Sequence, residues 1–164
     1  MSCERILAAG LILVGATVAS QTVVDQPQFS EEPAPPPPAY SSAHLIPIEM
    51  PPYVTIKVGI APETVAVGAD GVMRYVVVMR NASGSENAAH EGILCSTRSV
   101  KTYARLNSSG KWIGIEDPQW RDLTDNLGSR HAYAIAQQGG CDGRSSRKPE
   151  EILAALKRRS GLSY

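Results

Sequence analysis

The distribution of proline constrains this chain more than any other feature of its sequence. Ten of the twelve prolines lie between residues 27 and 62, including the run PAPPPP at residues 33–38. Proline lacks a backbone donor and fixes φ at about −65°, so residues 21–52 are expected in extended polyproline II geometry instead of a helix or a sheet. We therefore predict a flexible or extended linker at 21–52, a folded domain at 53–160 and a short tail at 161–164.

Two other interpretations of the proline-rich segment stay open. Polyproline II segments are also ligands of domains that bind proline-rich sequences. In addition, residues 21–70 carry six acidic residues and one lysine, a net charge of −5, whereas residues 71–164 carry nine acidic and fourteen basic residues, a net charge of +5. Such an acidic tail can lie on its own basic domain, or the basic half can face an anionic surface.

The first 20 residues have the pattern of a cleavable signal peptide. Arg5 precedes an apolar run of 14 residues, from Ile6 to Ala19, which ends in small side chains. As a helix this run spans about 21 Å, less than the ~30 Å hydrocarbon core of a bilayer. We expect cleavage after Ala19 or Ser20 and a periplasmic or secreted protein. The alternative is a retained leader, and only in that case is the membrane a partner.

Beyond residue 53 the sequence alternates between apolar and polar residues in strand-like runs. These runs are 54–60, 65–67, 72–80, 88–96, 100–106 and 111–115. In the run 72–80, Met73, Tyr75, Val77 and Met79 share one face while Val76 and Val78 share the other, which predicts a central strand buried on both faces. Turn compositions at 68–71 and 107–110 separate antiparallel neighbours.

Two helices follow the predicted strands. Residues 130–138 are rich in alanine and end at two glycines, with Ser129 as a candidate cap. Residues 149–159 begin with proline and two glutamates and end with three basic residues, which suits the helix dipole. We predict an α+β domain: an antiparallel meander sheet of five or six strands with one short helix and a C-terminal amphipathic helix packed on it.

Two cysteines, Cys95 and Cys141, remain once the leader and its Cys3 are removed. Because exported compartments permit disulfides, we predict a bridge between them, worth roughly 4 kcal/mol in the chain-entropy model. The pair lacks the Cys-x-x-Cys spacing of zinc and redox sites.

A more specific order of residues lies between 70 and 114 and continues loosely through Trp120, His131 and Cys141. It consists of Asp70, Gly71, Val72, Arg74, Tyr75, Gly84, Asn87, Glu91, Gly92, Ile93, Cys95, Tyr103, Ala104 and Gly110-Lys111-Trp112. In this order the chain resembles the CNP1-like family, a group of uncharacterised exported proteins of Gram-negative bacteria. It departs from the family pattern at His90, Leu94 and Asp142, where an aromatic residue, arginine and proline are usual.

The resemblance implies export and a cysteine pair, and it names no chemistry. The candidate surface or family-motif residues are Asp70, Gly71, Arg74, Tyr75, Asn87, Glu91, Gly92 and Trp112. Trp112 and Trp120 are expected in the core, with a role in bracketing a ligand as the alternative.

His90, Glu91 and His131 are the one set that could furnish a metal-ligand pair or a general base. Adjacent strand residues point to opposite faces, so His90 and Glu91 act on one substrate only if a bulge or turn intervenes. We expect instead that Glu91 pairs with Arg74 or Arg80 on a neighbouring strand, and that His131 is a packed helix residue.

The sequence favours a non-enzymatic accessory domain of the cell envelope, with no cofactor and no metal. Its expected partner is an envelope protein or an anionic envelope polymer, bound through the face that carries arginines. The balance of 16 basic against 16 acidic residues argues against a nucleic-acid binder. The alternatives are a metal-dependent hydrolase that uses His90, Glu91 and His131, and an inner-membrane-anchored interaction protein.

Overall fold

The structure, a computed structural model, describes residues 29–125 and 130–161. The predicted leader with its cleavage sites after Ala19 and Ser20, the candidate helix cap Ser129, and residues 162–164 of the predicted tail lie outside the described residues. Within the two described ranges, no helix combines the length and apolar character needed to cross a bilayer.

The chain forms an antiparallel sheet with six lateral positions. Its strands are β1 (Ile46–Ile48), β2 (Lys57–Ile60), β3 (Ala66–Val67), β4 (Val72–Arg80), β5 (Glu86–Leu94), β6 (Ser99–Leu106), β7 (Trp112–Gly114) and β8 (Arg121–Asp122). The lateral order is β1-β2-β4-β5-β6-β7, while β3 shares one edge of β4 with β2 and β8 shares one edge of β6 with β7. The predicted antiparallel meander is confirmed.

Strand β4 is buried on both faces, as its sequence predicts, and residues 73–78 are each at most 5% exposed. Tyr75 and Val77 belong to the main core, on the face that we call the inner face. Val76 and Val78 point the other way, to the outer face, and form a smaller apolar cluster. The alternation of β4 therefore separates two chemically distinct surfaces of one sheet.

Both predicted helices lie on the inner face. Helix α1 (His131–Ile135) continues into a wide turn, Ala136–Gly140, in which Gly139 has a φ of 141°. Helix α2 spans Pro149–Arg159, and its Ile152 and Leu156 enter the main core. The fold class is thus α+β, with a C-terminal helix packed on the sheet.

The predicted disulfide between Cys95 and Cys141 is present, with Cα atoms 5.7 Å apart. Cys95 directly follows β5, and Cys141 begins β9 (Cys141–Asp142), which pairs with β10 (Ser145–Ser146) in a separate hairpin. The bridge therefore ties the sheet to the turn that ends α1.

The described part of the proline-rich segment lies on the domain instead of leading away from it. Residues 29–45, which we call the arm, form neither helix nor strand, bend at 42–44 and contact the outer face. The next three residues form the edge strand β1, in which Ile46 and Ile48 are buried and Pro47 is exposed. The predicted strand at 54–60 begins only at Lys57, because the amide of Val54 bonds the carbonyl of Pro51 in a turn.

Candidate functional site

The inner face carries a buried carboxylate, Glu91, at the centre of the sheet. Tyr75 lies directly opposite it on β4 and donates its hydroxyl at 3.1 Å, while the hydroxyl of Thr102 on β6 donates at 3.2 Å. Nε2 of His131, at the start of α1, lies 2.8 Å from the same carboxylate. Glu91 is 3% exposed, so these bonds replace the water that a carboxylate otherwise requires.

Charge pairing fixes the protonation of this pair. Burial by itself lowers the pKa of His131, but attraction to the Glu91 carboxylate and their hydrogen bond outweigh burial and leave the pKa raised above its ordinary value of 6.5. Burial conversely raises the pKa of Glu91, yet the imidazolium and the three hydrogen bonds leave it lowered. Both shifts favour the ion pair, the form in which a protonated His131 lies beside an ionised Glu91.

A groove of about 810 Å³ opens over this pair. Its lining includes Arg105, Arg130 and Tyr133, together with Glu116 and Asp117 from the loop after β7. Basic and acidic side chains thus share the rim, and the groove suits a ligand that carries both polar and apolar groups.

Only two of the three residues of the hydrolase alternative, Glu91 and His131, come together. The sheet has an irregularity between His90 and Glu91, where β6 contributes an extra residue, Tyr103, but the two neighbours still project to opposite faces. His90 packs its ring 5.3 Å from that of Tyr103 on the outer face, whereas Glu91 binds His131 on the inner face. In the part of the chain that the structure describes, no group of three His, Cys, Asp or Glu residues is placed to hold a metal ion.

One expectation is wrong, the pairing of Glu91, and one is incomplete, because His131 is packed on its helix but also binds Glu91. Glu91 does not pair with Arg74 or Arg80, because those arginines bind Asp70 and Glu86 respectively. His131 is not merely packed on its helix, because its imidazole is bound to Glu91. The register of the β4–β5 hairpin explains the error in pairing, since it places Tyr75 opposite Glu91 and Glu86 opposite Arg80.

The outer face carries a second polar site, built on Asp70 and Arg74. The guanidinium binds the carboxylate through two hydrogen bonds, of 3.1 and 2.6 Å, and the two side chains are 6% and 0% exposed. Asp70 lies in the tight turn before β4, where its Oδ1 also accepts the amide of Val72. Burial raises the pKa of Asp70, but the bonds from Arg74 and two amides outweigh it and leave the pKa lowered.

This ion pair binds the backbone of the arm. The amide of Glu32 donates to Asp70 Oδ2 at 3.0 Å, and its carbonyl accepts from Arg74 Nη2 at 3.0 Å. A side-chain pair that binds both the N–H and the C=O of one residue resembles the pairing along a sheet edge. The carboxylate and guanidinium therefore hold an extended peptide at this point.

The preceding residue, Glu31, enters a cradle of three donors that we call the carboxylate cradle. Lys101 Nζ lies 2.5 Å from its carboxylate, the Tyr103 hydroxyl 2.9 Å and the Trp120 indole nitrogen 2.9 Å. Burial raises the pKa of Glu31, but these donors outweigh burial and leave the pKa below 4.5. Because it accepts three hydrogen bonds and faces an ammonium group, Glu31 is held in its charged form.

Tryptophan side chains contact both ends of the arm. The ring of Phe29 meets that of Trp120 edge-on, with centroids 6.1 Å apart, and Tyr40 meets Trp112 at the same distance. One residue after Tyr40, the amide of Ser41 donates to Glu63 Oε1 at 2.6 Å. The tryptophans thus bracket a segment of the same chain instead of filling the main core.

Gly92 makes room for the carboxylate cradle. A Cβ at this position would lie 2.6 Å from the hydroxyl of Tyr103 and 2.8 Å from a methyl group of Val72. The phenol that donates to Glu31 therefore crosses the sheet directly over a glycine. His90 lies beside it and is buried; burial, followed by the charge of Arg74, lowers the pKa of His90.

The structure thus divides the sequence-predicted residues between the two faces. Asp70, Arg74, Gly92 and Trp112 lie on the outer face with the arm, whereas Tyr75 and Glu91 lie on the inner face with His131. Gly71 occupies the turn with a φ of 75° and accepts the Ser146 hydroxyl, and the exposed Asn87 lines the groove.

Sequence reasoning missed Glu31, Glu32 and Lys101 as site residues. Glu31 and its three partners are separated by 70, 72 and 89 residues along the chain, so no local pattern connects them. The only indication in the sequence was the opposite net charge of residues 21–70 and 71–164, which allowed the tail to lie on its own domain.

Comparisons with known proteins agree with the resemblance. The chain is similar to Cryptic neisserial protein 1 of Neisseria gonorrhoeae (strain ATCC 700825 / FA 1090), with 27% identity over 104 residues that cover 56% of this chain and 51% of that protein. It thus spans about half the length of this relative. No solved structure matches the chain. A sequence profile of the CNP1-like family matches residues 24–157, most of the chain, and the protein belongs to the CNP1-like family.

Proposed function

We propose that this protein is an exported, non-enzymatic binding domain of the cell envelope, and that the outer face of its sheet binds an extended acidic segment of a protein. In the structure this surface holds the arm. The observation that carries the proposal is the double contact of the Asp70–Arg74 pair with the amide and the carbonyl of Glu32.

This contact distinguishes a protein partner from an anionic polymer. A polymer of acidic sugars or phosphates supplies anions for Lys101, but it has no amide and carbonyl at peptide spacing for the Asp70–Arg74 pair. The carboxylate cradle, one residue along, adds preference for an acidic side chain through one charged and two neutral donors. Together the two contacts fit a peptide in which glutamate or aspartate precedes the residue whose amide and carbonyl are bound.

The proposed location outside the cytoplasm is supported by the leader pattern and by the Cys95–Cys141 bridge, since disulfides persist in oxidising compartments. Intact mass and N-terminal sequencing of the protein from its native cells test it. We expect a chain that begins at Ser20 or Gln21 and has no free thiol. A cytosolic chain that begins at Met1 with Cys95 and Cys141 reduced would contradict export.

A synthetic peptide of residues 29–42 tests the binding function. The host is the full chain with Phe29→Ala and Glu31→Ala, which weakens the arm and leaves the cradle intact. We expect a saturable shift of the indole N–H resonance of Trp120 as the peptide is added. A peptide with Glu31→Gln should bind about 30-fold more weakly, and one with Glu32→Gln should bind normally, because only the Glu31 carboxylate enters the cradle.

Two results would overturn the proposed function. The first is the absence of any saturable shift of Trp120 with the unmodified peptide. The second is equal binding by a host that also carries Lys101→Met, because that substitution removes the ammonium group of the cradle.

A further inference from the structure

The burial of the arm repeats every third residue. Glu31, Ala34, Pro37 and Tyr40 are half-buried, whereas the residues between them are exposed, with the exception of the half-buried Pro38. A polyproline II helix has three residues per turn, so positions i, i+3, i+6 and i+9 form one of its three faces. The burial period of the arm thus fits a polyproline II helix that turns one of its three faces to the sheet.

The arm runs past the length of β6 on the outer face. The nine residue steps from Glu31 to Tyr40 would extend about 28 Å in polyproline II geometry, at about 3.1 Å each. Glu31 is bound by Lys101, near the start of β6, and Tyr40 meets Trp112, which pairs with Leu106 at the end of that strand. Five residue steps of strand separate these points by about 17 Å, and Trp120 and Trp112 contact the arm at Phe29 and Tyr40.

Glu31 and Tyr40 make the described contacts of this face, and Ala34 and Pro37 are half-buried between them. Glu31 supplies the charge, Tyr40 supplies an aromatic ring, and Ala34 and Pro37 between them are compact enough for close approach. The exposed prolines restrict the free segment to extended backbone geometry and so reduce the entropy lost on binding.

We propose that the outer face is a polyproline II recognition surface, which selects a proline-rich acidic segment by the side chains at every third position, and that the arm is its intramolecular ligand. This proposal rests on the proposed function and names its partner class: a protein segment with an acidic residue followed at +3 and +6 by small or proline residues and at +9 by an aromatic residue. Recognition of proline-rich segments by surfaces lined with aromatic side chains is a general binding mode.

The arm also sets the condition under which a partner binds. Tethering gives an intramolecular ligand an effective concentration in the mM range, so a partner segment in trans must bind more tightly or be held nearby. We therefore expect the unmodified protein to bind the 29–42 peptide more weakly than the host with Phe29→Ala and Glu31→Ala does.

Two matched pairs of peptides test the three-residue rule. Pro37→Gln is compared with Pro36→Gln, and Ala34→Gln with Ala39→Gln; within each pair the chemical change is identical and only the predicted orientation differs. We expect Pro37→Gln and Ala34→Gln to weaken binding to the host by at least about tenfold, and the two exposed positions to change it by less than about threefold.

The outcomes separate the two proposals. If the unmodified peptide binds but both members of each pair weaken binding equally, the polyproline II inference is overturned and the peptide-binding function stands. If no peptide binds, the proposed function itself is overturned. A peptide in which the prolines at 33 and 35–38 are replaced by serine supplies a third measurement: we expect at least tenfold weaker binding, and unchanged binding would refute a role for preorganised geometry.

Discussion

The carboxylate cradle makes a quantitative prediction for Glu31→Gln. Glutamine keeps one acceptor oxygen, so at least one of the donors Lys101, Tyr103 and Trp120 loses its partner, and the ammonium group loses its counter-charge. A hydrogen bond to a charged group is worth roughly 1.5–3 kcal/mol. Since the Lys101 and Glu31 side chains are 12% and 21% exposed, we take a value near the lower end, about 2 kcal/mol. Docking of the arm should therefore weaken by about 30-fold.

Amide hydrogen exchange of the full chain measures this change directly. The amides of Glu32 and Ser41 are bonded to Asp70 and Glu63, so their exchange requires the arm to leave the sheet. In Glu31→Gln both should exchange about 30-fold faster, while amides in the middle of β4 keep their protection.

The matched control is Glu32→Gln. This neighbouring carboxylate carries the same charge, but the described contacts of Glu32 run through its backbone. We expect the Ser41 amide to exchange at the unmodified rate in this variant. Equally faster exchange of the Ser41 amide in both variants would show that only the total negative charge of the arm matters. Unchanged exchange in Glu31→Gln would refute the claim that the carboxylate cradle holds the arm.

Three further predictions concern stability, each measured by urea unfolding. Gly92→Ala should cost about 1–3 kcal/mol through overpacking, while Gly114→Ala, where a Cβ meets open space, should change stability by less than about 0.5 kcal/mol; equal effects would contradict the packing. Replacing Cys95 and Cys141 by alanine should cost about 4 kcal/mol for their separation of 46 residues, and a loss below about 1 kcal/mol would contradict this. Burial lowers the pKa of His131, but its carboxylate partner raises it more. The His131–Glu91 ion pair therefore stabilises the fold fully below pH 6.5, and this contribution is lost as pH rises through the raised pKa. The stability gap between the unmodified protein and His131→Gln should then narrow as pH rises, and a widening gap would refute the ion pair.

Local sequence patterns were sufficient to predict the strands and helices whose buried and exposed residues alternate regularly. The run 72–80 alternates strictly, and the run 149–159 combines proline, acidic and basic residues in the order that a helix favours, so both were predicted at their observed bounds. Strand β1 was missed because it is three residues long and has Pro47 at its centre. An edge strand tolerates proline, because only one of its two sides forms hydrogen bonds with a neighbouring strand.

The contacts that build the site depend on pairings that no local pattern encodes. The partner of Glu91 follows from the register of β4 and β5, which places Tyr75 opposite it, and from α1, which returns His131 to the sheet. A composition rich in proline predicted the extended geometry of the arm but not its position. Only the fold shows that this extended segment meets two tryptophans and a carboxylate cradle on its own domain.

The most direct test is to cut the arm away from the domain that binds it. A protease site placed at residues 42–44, after the last arm contact that involves Ser41 and before β1, allows the folded, disulfide-bonded protein to be cleaved and then passed over a gel-filtration column. We expect the severed arm to coelute with the domain in the otherwise unmodified protein, and to be lost when Lys101→Met is also present. An arm that separates at once from both proteins, or that stays equally with both, would contradict a specific peptide-binding surface.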